Sequence, residues 1–224
     1  MLVWAAAAFN GMGPRQSADG GGLAGDGRNG RLHHRSGAAR AAAAGWLGGR
    51  TLPVGRGRRN QGYLSPSLDT TIFATTNLIW LFARHPEQWR RLREEPGLVS
   101  RAINEAIRLE SPVQGFGRRA TRDVEIDGYL IPEGAIVLML FAAANRDERK
   151  YPDPDRFDVG RDCGGHLGFG HAAHLCVGMN LAKLELNALV YALLPRVERF
   201  ELLGEQRAAN NMLRGFDSLP VAVS

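Results

Sequence analysis

His166-Leu167-Gly168-Phe169-Gly170-His171-Ala172-Ala173-His174-Leu175-Cys176-Val177-Gly178-Met179-Asn180 is the stretch on which the reading of this 224-residue chain turns. Three glycines and a cysteine make it a loop. From Asn180 to about residue 200 the sequence returns to helical spacing through Leu181, Leu184, Leu186, Leu189 and Leu193, with Pro195 ending or kinking the run. A loop that enters a helix start gathers unpaired backbone N–H groups and the positive end of the helix dipole, and both favour a thiolate at Cys176. Such a sulfur is suited to be a ligand or a nucleophile.

Two metal chemistries compete for it. Cys163, His166, His171, His174 and Cys176 could make a zinc site, because thiolate and imidazole suit zinc. Structural zinc sites usually bring ligands in close pairs such as Cys-x-x-Cys, and none is present. The other chemistry is a single axial thiolate to haem iron. Phe169-Gly170, then His174, Cys176 and Gly178, at this spacing, resemble the haem-binding signature of the cytochrome P450 family. One position departs from it: the family usually has glycine four residues before the cysteine, where this chain has Ala172. If the backbone there needs a positive φ, alanine costs about 1 kcal/mol.

Upstream, residues 67–84 read as a mostly apolar helix stopped by His85-Pro86. A short charged helix over 87–95 stops at Pro96, and a third over 98–109 ends before Ser111-Pro112. These resemble the family's I, J and K helices in order. Glu105 and Arg108, three apart, share a helix face, which alone reads as a solvated pair worth little. The resemblance instead implies a buried three-way ion pair with Arg156 of the proline-rich meander Tyr151-Pro152-Asp153-Pro154-Asp155-Arg156-Phe157. It also implies that Asp69 and Thr70 are the acid–alcohol pair that relays protons from water. Arg118 and His174 would bind the haem propionates, and Val113 and Phe116 would lie on the chain segment that contacts substrate. His166 and His171 receive no role, and Cys163 reads as a small buried or surface residue. Leu64-Ser65-Pro66-Ser67-Leu68-Asp69-Thr70 is similar to a run in bacterial members acting on para-substituted benzoates, although Pro66-Ser67 replaces the family's small-Gly pair.

Between these signals, Val124-Glu125-Ile126, Asp127-Gly128 and Tyr129-Leu130-Ile131 alternate around a tight-turn dipeptide and predict a β-hairpin. Pro132-Glu133-Gly134 makes the next turn, and 135–140 reads as a buried strand. Residues 213–223 read as a strand pair with a Gly-Phe-Asp-Ser turn.

The bulk numbers remove other classes. Net charge is +5, but residues 1–60 hold nine Arg and two Asp, a balance of +7, which leaves 19 basic against 21 acidic side chains, or −2, for the rest. The basic character therefore belongs to the leader, and nucleic acid is not an expected partner. Two cysteines make no disulfide framework, which fits a reducing cytoplasm. The most apolar run, 136–144, has about half the length of a bilayer-spanning helix, so no membrane is expected. Residues 1–60 contain 12 Ala, 14 Gly and 9 Arg without periodicity, so 1–61 reads either as a disordered leader or as out-of-frame translation of GC-rich DNA.

The fold expected is mainly α with small β-sheets: the C-terminal half of the P450 fold over 62–224, about half the family's domain. The resemblance implies a haem b monooxygenase using O2, a ferredoxin-type electron donor and a small organic substrate, with aromatic acids among the candidates. The alternatives are a non-catalytic fragment with weak or no haem binding, and a zinc module.

Overall fold

The computed structural model describes the backbone of residues 54–224 and the side chains of residues 66–224. The leader expectation for residues 1–61 lies outside these as far as residue 53; over 54–61 the backbone is helical rather than disordered. The chain divides into two compact units, Met1–Asp69 and Thr70–Ser224. Helix α1 (Val54–Arg84) begins upstream of the expected start and carries Pro66 within it. A proline in a helix interior removes one hydrogen bond, and for that reason the sequence suggests a later beginning.

The second unit is built on aromatic and aliphatic side chains at helical spacing. Helix α2 (Pro86–Glu94) has Pro86 in its first turn and buries Trp89 and Leu92. Helix α3 (Val99–Leu109) buries Val99, Ala102, Ile103, Ala106 and Ile107, the i, i+3, i+4, i+7, i+8 stripe of a core-facing helix. Phe82 from the end of α1 lies 4.8 Å from the Trp89 ring, 6.1 Å from Phe157 and 6.3 Å from Phe200, centre to centre. Trp89 satisfies its indole N–H on the Val197 carbonyl at 3.2 Å, so its burial leaves no orphaned donor.

The described residues form four two-stranded antiparallel sheets. Strand β1 (Gly115–Arg119) pairs with β4 (Ile136–Leu140), Gly115 opposite Leu140 and Arg119 opposite Ile136. A side chain at Gly115 would meet the Met139 carbonyl, so glycine is required for that approach. The expected hairpin is β2 (Val124–Ile126) with β3 (Tyr129–Ile131), and its turn residues Asp127 and Gly128 both have positive φ. Strand β4 was expected buried, but Ile136, Leu138 and Leu140 are all exposed. Two strands make a ribbon, and a ribbon covers one face of itself at most.

Helix α4 (Phe141–Ala144) follows, then the meander, then helix α5 (Met179–Leu193), which ends two residues before Pro195 and buries Leu186 and Val190 against α3. The C-terminal strands depart from the expected pair. Strand β5 (Phe200–Leu202) pairs with β8 (Val221–Val223), and β6 (Gln206–Arg207) with β7 (Phe216–Ser218). Phe216-Asp217-Ser218 is thus strand, not turn, because residues 206–207 supply it with a partner. Among the described residues no helix is long and apolar enough to cross a membrane.

Candidate active site

Glu105 and Arg108 are fully buried and bonded twice, Arg108 Nε donating to Glu105 Oε2 at 2.7 Å and Nη2 to Oε1 at 2.9 Å. Burial of two charges requires that every remaining hydrogen-bonding site be filled. Arg108 Nη1 donates to the Asn145 carbonyl at 2.7 Å, and Glu105 Oε1 also accepts from the Asp158 amide at 3.3 Å. The third member is Arg161, not Arg156: Arg161 Nε donates to Glu105 Oε1 at 2.9 Å. Its other two nitrogens take the carbonyls of Pro152, Asp153 and Arg156, at 2.7, 3.1 and 3.2 Å, so one guanidinium gathers the meander and fastens it to α3. The Arg156 side chain is exposed and contributes only its backbone oxygen. Gln88 of α2 accepts from the Val159 amide at 3.1 Å and Arg91 pairs with Asp158 at 3.0 Å, which closes the meander from its other side.

From this base the cysteine loop is hung by two contacts and stiffened by one of its own. Asn145 Oδ1 accepts from the Leu167 amide at 2.6 Å, while its Nδ2 donates to Ser111. Gly168 lies so close to α3 that a Cβ there would stand 2.5 Å from the Ile107 side chain and 3.0 Å from its carbonyl. His166 caps the turn Leu167–Phe169, its Nδ1 accepting from the Gly168 amide at 3.1 Å. Burial, helped by the charge of Lys183, pulls the His166 pKa down to about 4, so the ring stays neutral and free to accept. Sequence reasoning gave Asn145, Arg161 and His166 no part. Only the helix-cap placement of His166, before a glycine-bearing turn, was open to sequence reading.

The loop then folds back on itself. Cys176 N donates to the Phe169 carbonyl at 2.8 Å, and the Cys176 carbonyl accepts from Met179 at 3.2 Å as α5 begins after Gly178. Gly170 has φ +76°, and a Cβ there would stand 2.6 Å from the His174 carbonyl. Ala172 has φ +50°, the left-handed region in which the sequence pattern expects glycine. Phe169 packs on the core and carries Lys183 5.3 Å over its ring. At the top, Cys176 is exposed and free, with exposed His174 two residues before it. Cys163 is the opposite: buried, its thiol pushed up to about 12 by burial and by the nearby Glu105 charge. Among the described residues no three His, Cys, Asp or Glu side chains converge as a metal-holding group, so the zinc arrangement is not assembled.

The remaining predicted residues lie elsewhere. Arg118 is half-buried on β1, donates to the Gly117 carbonyl at 2.9 Å and lies 5.9 Å over the Phe116 ring. Phe116 packs edge-on to Phe141 at 6.1 Å, and Val113 bridges to Leu213. Asp69 and Thr70 are consecutive on α1, at the division between the two units. Asp69 is 2% exposed, its Oδ2 has no hydrogen-bond partner, and burial pushes its pKa up to about 6.

Comparison with known proteins agrees with this geometry. A model of the family described as Cytochrome P450 matches residues 64–217. The chain is 46% identical over 162 residues to cytochrome p450 CYP199A2 of Rhodopseudomonas palustris, covering 72% of this chain and 39% of that protein. It is 39% identical over 156 residues to linalool 8-monooxygenase of Pseudomonas putida, covering 69% of this chain and 38% of that one. The structure of cytochrome P450 CYP109Q5 from Chondromyces apiculatus superposes with a TM-score of 0.71 at 34% identity, over 79% of this chain and 47% of that one. The chain therefore spans about two fifths of the length of the curated relatives it matches. With a glycine-held cysteine loop standing on a buried glutamate–arginine base, and a family model that covers most of the described residues, this chain belongs to the cytochrome P450 family.

Proposed function

We propose that this chain carries the thiolate-ligand half of a haem monooxygenase, which inserts one oxygen atom from O2 into a small organic substrate. The observation that carries this reading is Cys176: an exposed, free sulfur at the top of a loop whose backbone meets Asn145 at Leu167 and Ile107 of α3 at Gly168, and is closed on itself by the Cys176 amide on the Phe169 carbonyl. The family's cofactor is haem iron. The donor set fits it, because Cys176 is an exposed sulfur, the other cysteine is buried, and among the described residues no three metal-ligating side chains converge, which suits a group held through one sulfur. When bound, the group supplies the binding and reductive activation of O2.

The chain's own residues would hold and serve that group. Cys176 would ligate its iron, backed by Phe169, Gly170 and Gly178. His174 and Arg118 offer basic partners to the propionates, and Val113 and Phe116 offer apolar contacts to substrate. Asp69, protonated up to about pH 6 by its burial, can give up and retake a proton near neutrality, with the Thr70 hydroxyl next in the chain. Resemblance over residues 64–70 favours an aromatic acid as substrate, and electrons would come from a ferredoxin-type donor in the cytoplasm.

A second reading is a non-catalytic fragment that binds haem weakly or not at all. It is favoured by the exposed apolar side chains of β4. One experiment separates the two. The full chain is loaded with haem, reduced under carbon monoxide, and compared with Cys176→Ser. A strongly red-shifted thiolate–CO band present in the parent and absent from the variant supports the first reading. Identical spectra support the second.

A further inference from the structure

Asn145 is buried at the end of α4, and each of its four polar groups is bonded to a different residue. Its amide donates to the Phe141 carbonyl at 2.9 Å, and its carbonyl accepts from Arg108 Nη1 at 2.7 Å. The side chain is fixed as firmly. The Leu167 N–H can only donate, so the atom that faces it at 2.6 Å is Oδ1, which leaves Nδ2 facing the Ser111 hydroxyl at 2.9 Å. Ser111 is itself fully buried and donates to the Ile107 carbonyl of α3 at 2.8 Å.

Leu167 opens the single turn Leu167–Phe169, which the Gly170 amide closes on the Leu167 carbonyl at 2.9 Å. At the far end of that turn the Phe169 carbonyl accepts the Cys176 amide at 2.8 Å, while the Cys176 carbonyl accepts from Met179 at 3.2 Å. Cys176 is thus held on both sides of its Cα, and the first hold runs back through one turn to Asn145. An exposed side chain gains little restraint from packing. Its position is then set by the backbone that carries it and by the hydrogen bonds that fix that backbone.

We propose that Asn145 is a positioning residue for the Cys176 sulfur: it ties the Leu167 amide to the buried Glu105–Arg108 base and so fixes the turn whose last carbonyl holds the cysteine. The role rests on the reading of Cys176 as the haem ligand. The backbone link beneath it belongs to the haem-free chain and is measured there.

Two measurements on the full chain test it: hydrogen exchange of the Cys176 amide relative to the amides of α3, without haem, and the share of bound haem that gives the thiolate–CO band. Asn145→Ala removes both side-chain bonds. Asn145→Asp keeps an acceptor for the Leu167 N–H, and the Ser111 hydroxyl can turn to donate to its second oxygen. Leu92→Ala, a core truncation on α2, controls for general loss of stability. We expect Asn145→Ala to speed relative exchange at Cys176 by about tenfold and to lower the thiolate–CO share, Asn145→Asp to restore both, and Leu92→Ala to change neither. Ser111→Ala, which releases Nδ2, should act in the same direction and decides the matter if Asn145→Ala does not fold. Unchanged exchange at Cys176, an aspartate variant equal to the alanine one, or the same changes in Leu92→Ala would overturn the proposal. A parent without the thiolate–CO band overturns the haem reading and the role together, whereas a parent with the band and an equal share in Asn145→Ala overturns the positioning role alone.

Discussion

Ala172 holds a left-handed backbone with φ +50° in the loop that presents Cys176. Among the described residues, the two other non-glycine positions with positive φ, Asp127 and Asp153, are of a type that tolerates this region; alanine is not. Ala172→Gly should therefore raise stability by up to about 1 kcal/mol, seen as a higher midpoint in chemical denaturation, despite the added freedom of the unfolded chain. Asp69 makes a prediction in pH. Its folded pKa, about 6, lies above the ordinary value of 3.8, so the fold disfavours its charged form. The stability this group contributes is complete below about pH 3.8 and is lost as pH rises through 6. Asp69→Asn should therefore stabilise the chain at pH 7.5, on the order of 2 kcal/mol, and change little at pH 3.5; equal effects at both pH values would exclude the assignment. The sequence marked Ala172 as the misfit in its pattern. It could not show that Asp69 is buried with an unpaired carboxylate oxygen, because an Asp-Thr pair looks the same on any helix.

The meander and α3 set the next scale. The spacing of Glu105 and Arg108 on one helix face was legible, and so was the need for a third arginine from the proline-rich segment. Which arginine was not, because Arg156 and Arg161 both lie in a stretch without regular structure. The choice is made by three carbonyls, of Pro152, Asp153 and Arg156, that a single guanidinium can reach only from position 161. Arg161→Ala should thus cost several times what Arg156→Ala costs, the first leaving those carbonyls and part of Glu105 unpaired, the second removing an exposed side chain. Glu105→Ala should be more severe, about 3–5 kcal/mol, because Arg108 would remain buried without a counter-charge. Thermal melts of the three variants give the order directly, and similar melts for the two arginine variants would contradict it. The small sheets were legible where turn chemistry was strong, at Asp127-Gly128. They were not where the partner came from elsewhere in the chain, as β6 does for β7.

At the scale of the molecule, the surface is the informative part. Ile136, Leu138 and Leu140 on β4 and Leu181 and Leu184 on α5 are all more than half exposed. Side chains of this kind mark surface that finds a partner, a cofactor or another stretch of protein. The family could be read from the sequence because its signatures are short and local. The exposure of β4 could not, because an apolar run has the same letters whether or not something covers it. The two cysteines give this surface a chemical consequence. One thiol is buried and resists ionisation, and the other stands open at the end of its loop. To an alkylating reagent, an oxidant or a second copy of the chain, the protein is a single-thiol molecule. The residue best placed to coordinate a metal is also the one through which the unliganded chain would be covalently modified or cross-linked, so ligand occupancy and protection from oxidation are the same event.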